Sequence, residues 1–314
     1  MQLLREVSLR GTIAATARSL GLTPSAVSQQ LAVLEREAGV ALLDRSPRGV
    51  VLTGAGELLA AHAAQLADVL TAARADLDDI AGSTTGLVKV VSVASAAVTF
   101  VSEAATALRD SGSGIELSVL AAEPAVGLHR MLAGDVDMVV VDEYDYVPIA
   151  LPDHVVVQEL LTEPLVLVSR PGTLTTPVGR LGNLHDARWV MPPMAASCGI
   201  AVRAACRAVG FEPRVFWETD DLRLLTSSVE CGHGVAVLPR LSVTPTAALE
   251  LHPLTDPVLE RRILVAARAS VLARPVVASA LRAITTAAHR YAGAPPTDPD
   301  RARRRLGHPT TEDA

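Results

Sequence analysis

The chain has 314 residues, of which 49% are hydrophobic and 20% charged, and it carries a net charge of −6. That length exceeds one ordinary domain of roughly 100–200 residues, and the apolar share excludes a wholly disordered chain. Residues 1–60 hold six arginines against five acids, while the remainder holds 22 basic against 29 acidic side chains.

Only the first segment is not acidic, so a nucleic-acid partner has to be argued from where its arginines stand. Lys89 is the sole lysine, which, beside the heavy use of Ala, Val and Leu, reads as compositional bias. Arg5, Glu6 and Arg10 interrupt the N-terminus, so no signal peptide is expected there. No run approaches the ~18 uncharged apolar residues of a membrane span. A cytoplasmic protein with no membrane partner is therefore expected. Cys198, Cys206 and Cys231 are an odd set without a CxxC pair. They fit a reducing compartment and predict neither a disulfide framework nor a structural zinc site. No cofactor is expected.

In chain order, Leu3, Leu4 and Val7 share a helical face that Gly11 ends. Ile13, Ala14, Ala17 and Leu20 repeat at the 3.6 period, and Gly21 supplies a left-handed turn. Thr23 as cap and Pro24 at the first helical position start a third helix running to Ala38. Its inner face is Val27, Leu31 and Leu34, leaving Ser25, Ser28, Gln29 and Ala32 outside. Two short helices about a Gly turn, the second with small and amide side chains near its start, describe a helix-turn-helix. The alternative is a plain three-helix bundle with polar outer faces. The expected DNA contacts are Arg18, Thr23, Ser25, Ser28, Gln29 and Gln30. Leu42–Thr53 reads as two short strands about a Pro/Gly turn, a wing whose Arg45 and Arg48 would grip phosphate or enter the minor groove. A solvated hairpin is the bland alternative.

Leu59, Ala63, Leu66, Leu70, Ala73, Leu77 and Ile80 alternate steps of four and three, a coiled-coil seam that argues for dimerisation. A core helix of the next domain is the competing reading. Residues 82–86 then form a flexible linker.

These residues resemble the LysR-type transcriptional regulators. The resemblance rests on Ala17-x-x-Leu20-x-Leu22-Thr23-Pro24-Ser25-Ala26-Val27-Ser28-Gln29-Gln30-Leu31, on Leu34-Glu35, on Gly39-Val40-x-Leu42-Leu43-x-Arg45, and on Leu52-Thr53-x-Ala55-Gly56. It spans residues 1 to about 290. It implies an N-terminal all-α-rich winged helix-turn-helix, a linker helix, and an α/β effector domain of two lobes that is periplasmic-binding-protein-like. The implied partners are double-stranded operator DNA, a small-molecule effector, further copies of the chain in a homodimer or homotetramer, and RNA polymerase as a candidate. The chain departs from the family at Pro24, where Gln is frequent, and at Gln29, where Arg is frequent, so base readout is expected to shift toward Ser25, Ser28 and Gln29. The family's first helix usually has several more residues ahead of Leu3, which leaves open a start upstream of Met1 or a short helix.

Beyond the linker, Leu87–Val93, a helix over 94–108 and Ile115–Leu120 make a strand-helix-strand unit. A helix over Leu128–Ala133 and a strand over Asp137–Val141 extend a parallel sheet that Leu165–Val168 is expected to continue. Trp189–Met191, a helix over Ile200–Val209 and Val215–Trp217 form a second such unit, and Gly232–Pro239 gives a turn and strand. Arg262–Ala266 is expected to return to the first lobe, followed by a helix over Pro275–Tyr291. The expected domains are residues 1–56, 57–82 and 87–291, then a disordered tail over 292–314 with Arg301, Arg303, Arg304 and Arg305.

Open sheets of this kind bind ligands at strand carboxyl ends, in a cleft. The expected effector residues are Ala94, Ser95, Asp142, Tyr144, Pro193, Met194, Glu218 and Thr219. Ser95 near a helix start suits an anion, whereas Asp142, Glu143, Asp145, Asp220 and Asp221 suit an amine, with water-facing acids as the bland alternative. Three other functions compete. Cys231 and His233, two residues apart, are a poor nucleophile and base. Cys198 before a helix, with Cys206 eight residues on, suggests redox control, since peroxide-sensing family members use a pair in this region. A solute-binding module explains only residues 87–290.

Overall fold

The computed structural model describes residues 1–46, 49–80, 85–149, 151, 155–174 and 179–291. Its chain divides into two units, residues 1–141 with 150–158 and 265–285, and residues 142–149 with 159–264 and 286–314.

The first unit opens with α1 (Gln2–Arg10), α2 (Ile13–Leu20) and α3 (Pro24–Ala38). Each helix stops where Gly11, Gly21 or Gly39 turns left-handed at φ between 65 and 70°, a conformation that costs other residues a Cβ clash. The Thr12 and Thr23 hydroxyls accept from the Ala15 and Ala26 amides at 3.1 and 3.2 Å, so both expected starts carry side-chain caps. Strands β1 (Leu43–Ser46) and β2 (Gly49–Leu52) pair antiparallel as the expected wing. Helix α4 (Gly54–Ile80) follows at once.

One small core holds these pieces together: Leu4, Val7, Ala17, Val27, Leu31, Leu42, Leu43 and Ala60. Every element of the head contributes, so none buries its apolar face alone. Glu35, from the last turns of α3, accepts from the Leu42 and Leu43 amides at 2.9 and 3.0 Å. A single carboxylate thereby fixes the start of the wing to α3. Gly56 lies against the Leu42 carbonyl so closely that a Cβ would overlap it. At the edge of the head, Arg10 pairs with Asp135 at 3.0 Å and with Glu6 at 2.8 Å, and Arg5 donates to the Ala133 carbonyl. These bonds tie the head to the segment after α7 (Pro124–Ala133).

The remainder of the first unit is built on β3 (Gly86–Ser92), which pairs parallel with β4 (Ile115–Ala121) on one side and β5 (Met138–Tyr144) on the other. The expected linker is thus shorter than residues 82–86, because Gly86 already starts β3; positions 81–84 lie outside the described residues. The expected single helix over 94–108 is α5 (Ala94–Ala96), a π-helical segment (Ala97–Val101) and α6 (Ser102–Asp110) in succession. Thr99 departs from helical geometry there, with φ −102° and ψ −108°, and its hydroxyl donates to the Ser95 carbonyl at 2.6 Å.

In the second unit, β6 (Val155–Ser169) is antiparallel to β9 (Ala236–Pro239) and to β10 (Glu250–Pro253). This corrects the expectation that Leu165–Val168 continues a parallel sheet. A strand buried on both faces is a plain apolar run in either direction, and only its partners, remote in sequence, decide which. The second strand-helix-strand unit is as expected: β7 (Arg188–Met191), α8 (Ser197–Ala208) and β8 (Arg214–Glu218), with β7 and β8 parallel. Helix α9 (Leu222–Glu230) leads to β9. Trp189 is fully buried in the core of this unit and donates its indole N–H to the Leu184 carbonyl at 3.3 Å. The chain re-enters the first unit along β11 (Glu260–Arg268), which the unit division cuts after Leu264. It closes with α10 (Ala269–Leu272) and α11 (Pro275–Ala288). The tail over 292–314 lies outside the described residues.

Removing the Glu35 carboxylate orphans two backbone donors at about 1–3 kcal/mol each. Glu35→Ala is expected to destabilise the head by about 2–6 kcal/mol and to raise amide exchange at Leu42 and Leu43. Glu35→Gln, which keeps one oxygen, should lose less in the same exchange measurement.

Candidate functional site

The face expected to read DNA is the outer side of α3. Ser25, Gln29 and Gln30 are exposed and Ser28 is half-buried, while Val27 and Leu31 on the opposite side are in the core. Arg18 on α2 is exposed. Thr23 differs from its neighbours. Its hydroxyl caps α3 and shares a 3.0 Å bond with Ser25, so its first duty is to the helix start. Arg45 sits in β1 opposite Val50. The Arg45 side chain and all of Arg48 lie outside the described residues.

Along α4 the expected seam divides. Leu59 and Ala63 are partly or fully covered, Ala63 being buried and Leu59 packed on the core of the head. Leu66, Leu70, Ala73 and Leu77 are exposed, Leu70 at 72%. Leu58 and Val69 add further exposed apolar surface. The side chain of Ile80 lies outside the described residues.

The expected effector residues fall into different surroundings. In the first unit Ala94 is exposed at the start of α5 and Ser95 is buried. In the second, Arg261 is the centre of a buried ionic cluster. It donates from Nη1 to Asp142 at 3.2 Å, from Nε to Glu163 at 2.8 Å, and again from Nη2 to Glu163. Glu163 also accepts from the Leu241 amide at 2.6 Å, and the Tyr144 hydroxyl donates to Asp142 at 2.9 Å. Burial alone would lower the Arg261 pKa, but Tyr144, Glu163 and Asp142 outweigh it and the guanidinium stays charged. Burial, and then the Asp142 charge, push the Tyr144 phenol well above its ordinary range.

Of the other four acids that pointed to an amine at the strand ends, Asp220 is exposed and three are engaged. Glu143 pairs with Arg262, Asp145 accepts from the Glu260 amide at 2.9 Å, and Asp221 caps α9 through the Arg223 and Leu224 amides. The charge argument from those acids therefore loses its footing at the strand ends. Asp142 and Tyr144 serve the interior instead.

Pro193, Met194, Glu218 and Thr219 are brought together by one side chain that sequence reasoning did not single out. Arg203 on α8 is buried, and donates to the Pro192 and Gly199 carbonyls at 2.8 and 3.2 Å and to Glu218 at 2.6 Å. The Thr219 amide donates to the Met191 carbonyl at 3.2 Å. A Cβ at Gly199 would fall inside the Pro193 carbonyl, so the loop closes on α8 only with glycine there. Met194, at the loop tip, is exposed.

The cysteines of the competing readings are all free thiols in this structure. The His233 ring stacks on Trp217 with centroids 4.8 Å apart, while Cys231 is exposed. Cys198 and Cys206 stand eight residues apart on one continuous helix, a rise of about 12 Å. A disulfide needs Cα atoms within about 7 Å, so pairing them requires α8 to unravel. Burial first, with Glu212 adding to it, pushes the Cys206 thiol up to about 12, which removes its thiolate at neutral pH.

Comparison with known proteins converges on one family. The family described as bacterial regulatory helix-turn-helix protein, lysR family, matches residues 1–57, and the LysR substrate binding domain matches residues 81–302. Among relatives, the probable HTH-type transcriptional regulator LrrA of Synechococcus elongatus is 28% identical over 283 residues, covering 88% of this chain and 92% of its own. GbpR of Azospirillum brasilense is 30% identical over 200 residues, covering 63% of this chain and 58% of its own. Among solved structures, a full-length OxyR variant from Pseudomonas aeruginosa superposes with a TM-score of 0.62 at 18% identity, covering 90% of this chain and 93% of that one. CbnR, a LysR family transcriptional regulator, gives 0.54 at 19% identity, covering 90% and 98%. At those identities the two structures support the two-lobed α/β fold and nothing finer.

The fold and the site thus define a DNA-binding regulator with a ligand-responsive domain. The chain belongs to the LysR family of transcriptional regulators, with an N-terminal helix-turn-helix and a C-terminal effector-binding domain. Members of that family are regulators and not enzymes. No helix among the described residues is long and apolar enough to cross a membrane.

At pH 8, iodoacetamide is expected to label Cys231 in the native protein and to leave Cys206 unmodified, as read by peptide mass spectrometry. Between the ordinary thiol value of 9.0 and about 12 the unfolded thiol ionises while the folded one does not. The contribution of Cys206 to stability is therefore whole below 9.0 and falls as pH rises through that window.

Proposed function

We propose that this chain regulates transcription in the cytoplasm by reading double-stranded operator DNA as a homodimer or homotetramer, and that a small molecule held by the C-terminal domain modulates that reading. The observation that carries the DNA-reading role is the outer face of α3. Its exposed Ser25, Gln29 and Gln30 are small or amide side chains on a capped helix, suited to approach a groove floor and pair with base edges. Arg18 on the preceding helix serves the phosphates. The domains assigned are a reading head over 1–56, a linker helix over 57–82 and an effector domain from 87 to 291. RNA polymerase is a further partner in this reading.

For the effector, the residues assigned are Pro193, Met194, Glu218 and Thr219, because Arg203 holds their two loops together while Met194 stays open to solvent. Asp142 and Tyr144 act behind that surface, through the Arg261 cluster. The deciding experiment is footprinting on the chain's own upstream region, repeated across a small-molecule library. A footprint that no compound alters would remove the sensor role.

Arg18→Ala is expected to weaken binding to all DNA alike and to lower the slope of log K against log salt by about one. Gln29→Ala is expected to change sequence preference, at about 1–3 kcal/mol per lost bidentate contact. Identical effects of the two on operator and random DNA would remove both roles. On α4, Leu70→Asp puts a charge into the exposed apolar face and should shift the protein from oligomer to monomer, as read by light scattering on a sizing column. Unchanged mass would show that this face is not the dimer seam.

A further inference from the structure

Val33 is an apolar side chain that α3 leaves 40% exposed, although Val27 and Leu31 on the same helix are buried and Leu34 packs on the core of the head. A helix turns by about 100° per residue, so Gln29 lies opposite the Val27, Leu31 and Leu34 side, with Ser25, Val33 and Arg36 within about 40° of it. Ser25, Gln29 and Arg36 are exposed, and Ala26 and Ala32 flank them half-buried. Val33 therefore stands in the middle of the face assigned to DNA. It is about 6 Å further along the axis than Gln29, the length of roughly two base-pair steps.

The charge of this face suits a polyanion. Residues 24–34 contain no acid. The two acids of α3 come after them: Glu35 is held by the Leu42 and Leu43 amides, and Glu37 follows Arg36 near the helix end. Arg36 closes the stripe with a cation fit for phosphate.

Facing water, valine has little to offer at position 33. A β-branched residue is a poorer helix former than alanine, and its methyl groups gain nothing in solvent. Facing a major groove, it has a single use. Its side chain neither donates nor accepts, so it cannot pair with the polar atoms of a base edge, and the one apolar group that bases present there is the thymine C5 methyl. A valine in a helix is held almost wholly in one χ1 rotamer, so its two methyl groups meet that contact with little entropy left to lose. The short side chains of Ala26 and Ala32 beside it leave room for the helix to sink toward the base edges.

We propose that Val33 is a specificity-determining residue that reads a thymine in each half-site through its C5 methyl, about two base pairs from the base met by Gln29. The proposal rests on the reading of α3 as the recognition helix and adds to it a base and a residue.

The test uses the full chain and the operator fragment defined by footprinting, with binding read by fluorescence anisotropy at fixed salt. Each thymine of the fragment is replaced in turn by deoxyuridine, which removes the methyl group and keeps the base pair. At one thymine per half-site the replacement should weaken binding about fourfold, the ratio expected for one methyl group returned to water. Val33→Ala should bind the unmodified operator several-fold more weakly, bind random DNA as before, and lose the penalty at that thymine. Val40→Ala removes an equally exposed valine outside the stripe and should keep the penalty whole. Two results would overturn the assignment: no thymine whose methyl group matters to the unsubstituted chain, or a penalty that persists undiminished in Val33→Ala. The unmodified fragment separates this from the recognition role. A chain that prefers its operator to random DNA yet ignores every methyl group keeps α3 as the reader and removes Val33 from it. A chain with no such preference removes both.

Discussion

Arg261 is a buried guanidinium facing two carboxylates, and the second unit is arranged around it. Taking ions out of water costs several kcal/mol each, so such a cluster contributes little net stability unless every charge is met in good geometry. What it does provide is register. Arg261 and Arg262 are neighbours on β11 and the pleat sends them to opposite faces. On each face a carboxylate from β5 is waiting: Asp142 for Arg261 and Glu143 for Arg262. Slipping β11 by one residue would exchange the faces of both arginines, and Asp142 and Glu163 would lose their guanidinium. The charges that fix this alignment, Asp142, Glu143, Glu163, Arg261 and Arg262, all belong to the second unit.

The reading head solves a different problem. It is too small to bury much apolar surface, so its geometry is set by stops and caps as much as by packing. Three left-handed glycines end three helices, and Thr12 and Thr23 begin two of them. The face of α3 that is left outside is set by the burial of Val27 and Leu31. Gln29 points outward as a consequence of core packing. The orientation of the exposed face of α3 is therefore inherited from the residues buried on its opposite side.

Much of this was legible in the sequence because it is local. Caps, glycine stops, heptad spacing and alternating runs are short-range patterns, and the three head helices, the wing, α4 and both strand-helix-strand units lie where those patterns place them. The direction of Leu165–Val168 was not legible, because the partner strands that decide it begin some 70 residues further on. Strand β10 and the first half of β6 carry mixed sequence with no clean alternation, and escaped notice. The engagement of Asp142 in the interior is hidden from the sequence for the same reason. The arginine that claims Asp142 lies 119 residues away in the chain, and nothing near residue 142 announces it. Arg203 could have been found, since an arginine in the middle of an otherwise apolar helix face needs a partner. Which partner, again, only the fold decides.

The loop from Pro192 to Gly199 joins two positions of opposite temper. At Gly199 any side chain collides with backbone, so a change there is lost before it can be tried out in function. Met194 is exposed at the loop tip. On the proposed reading, in which Met194 meets the effector, descendants of this chain can explore new effectors there at little structural risk. A lineage that changes its signal should carry the same glycine and a different residue five places before it.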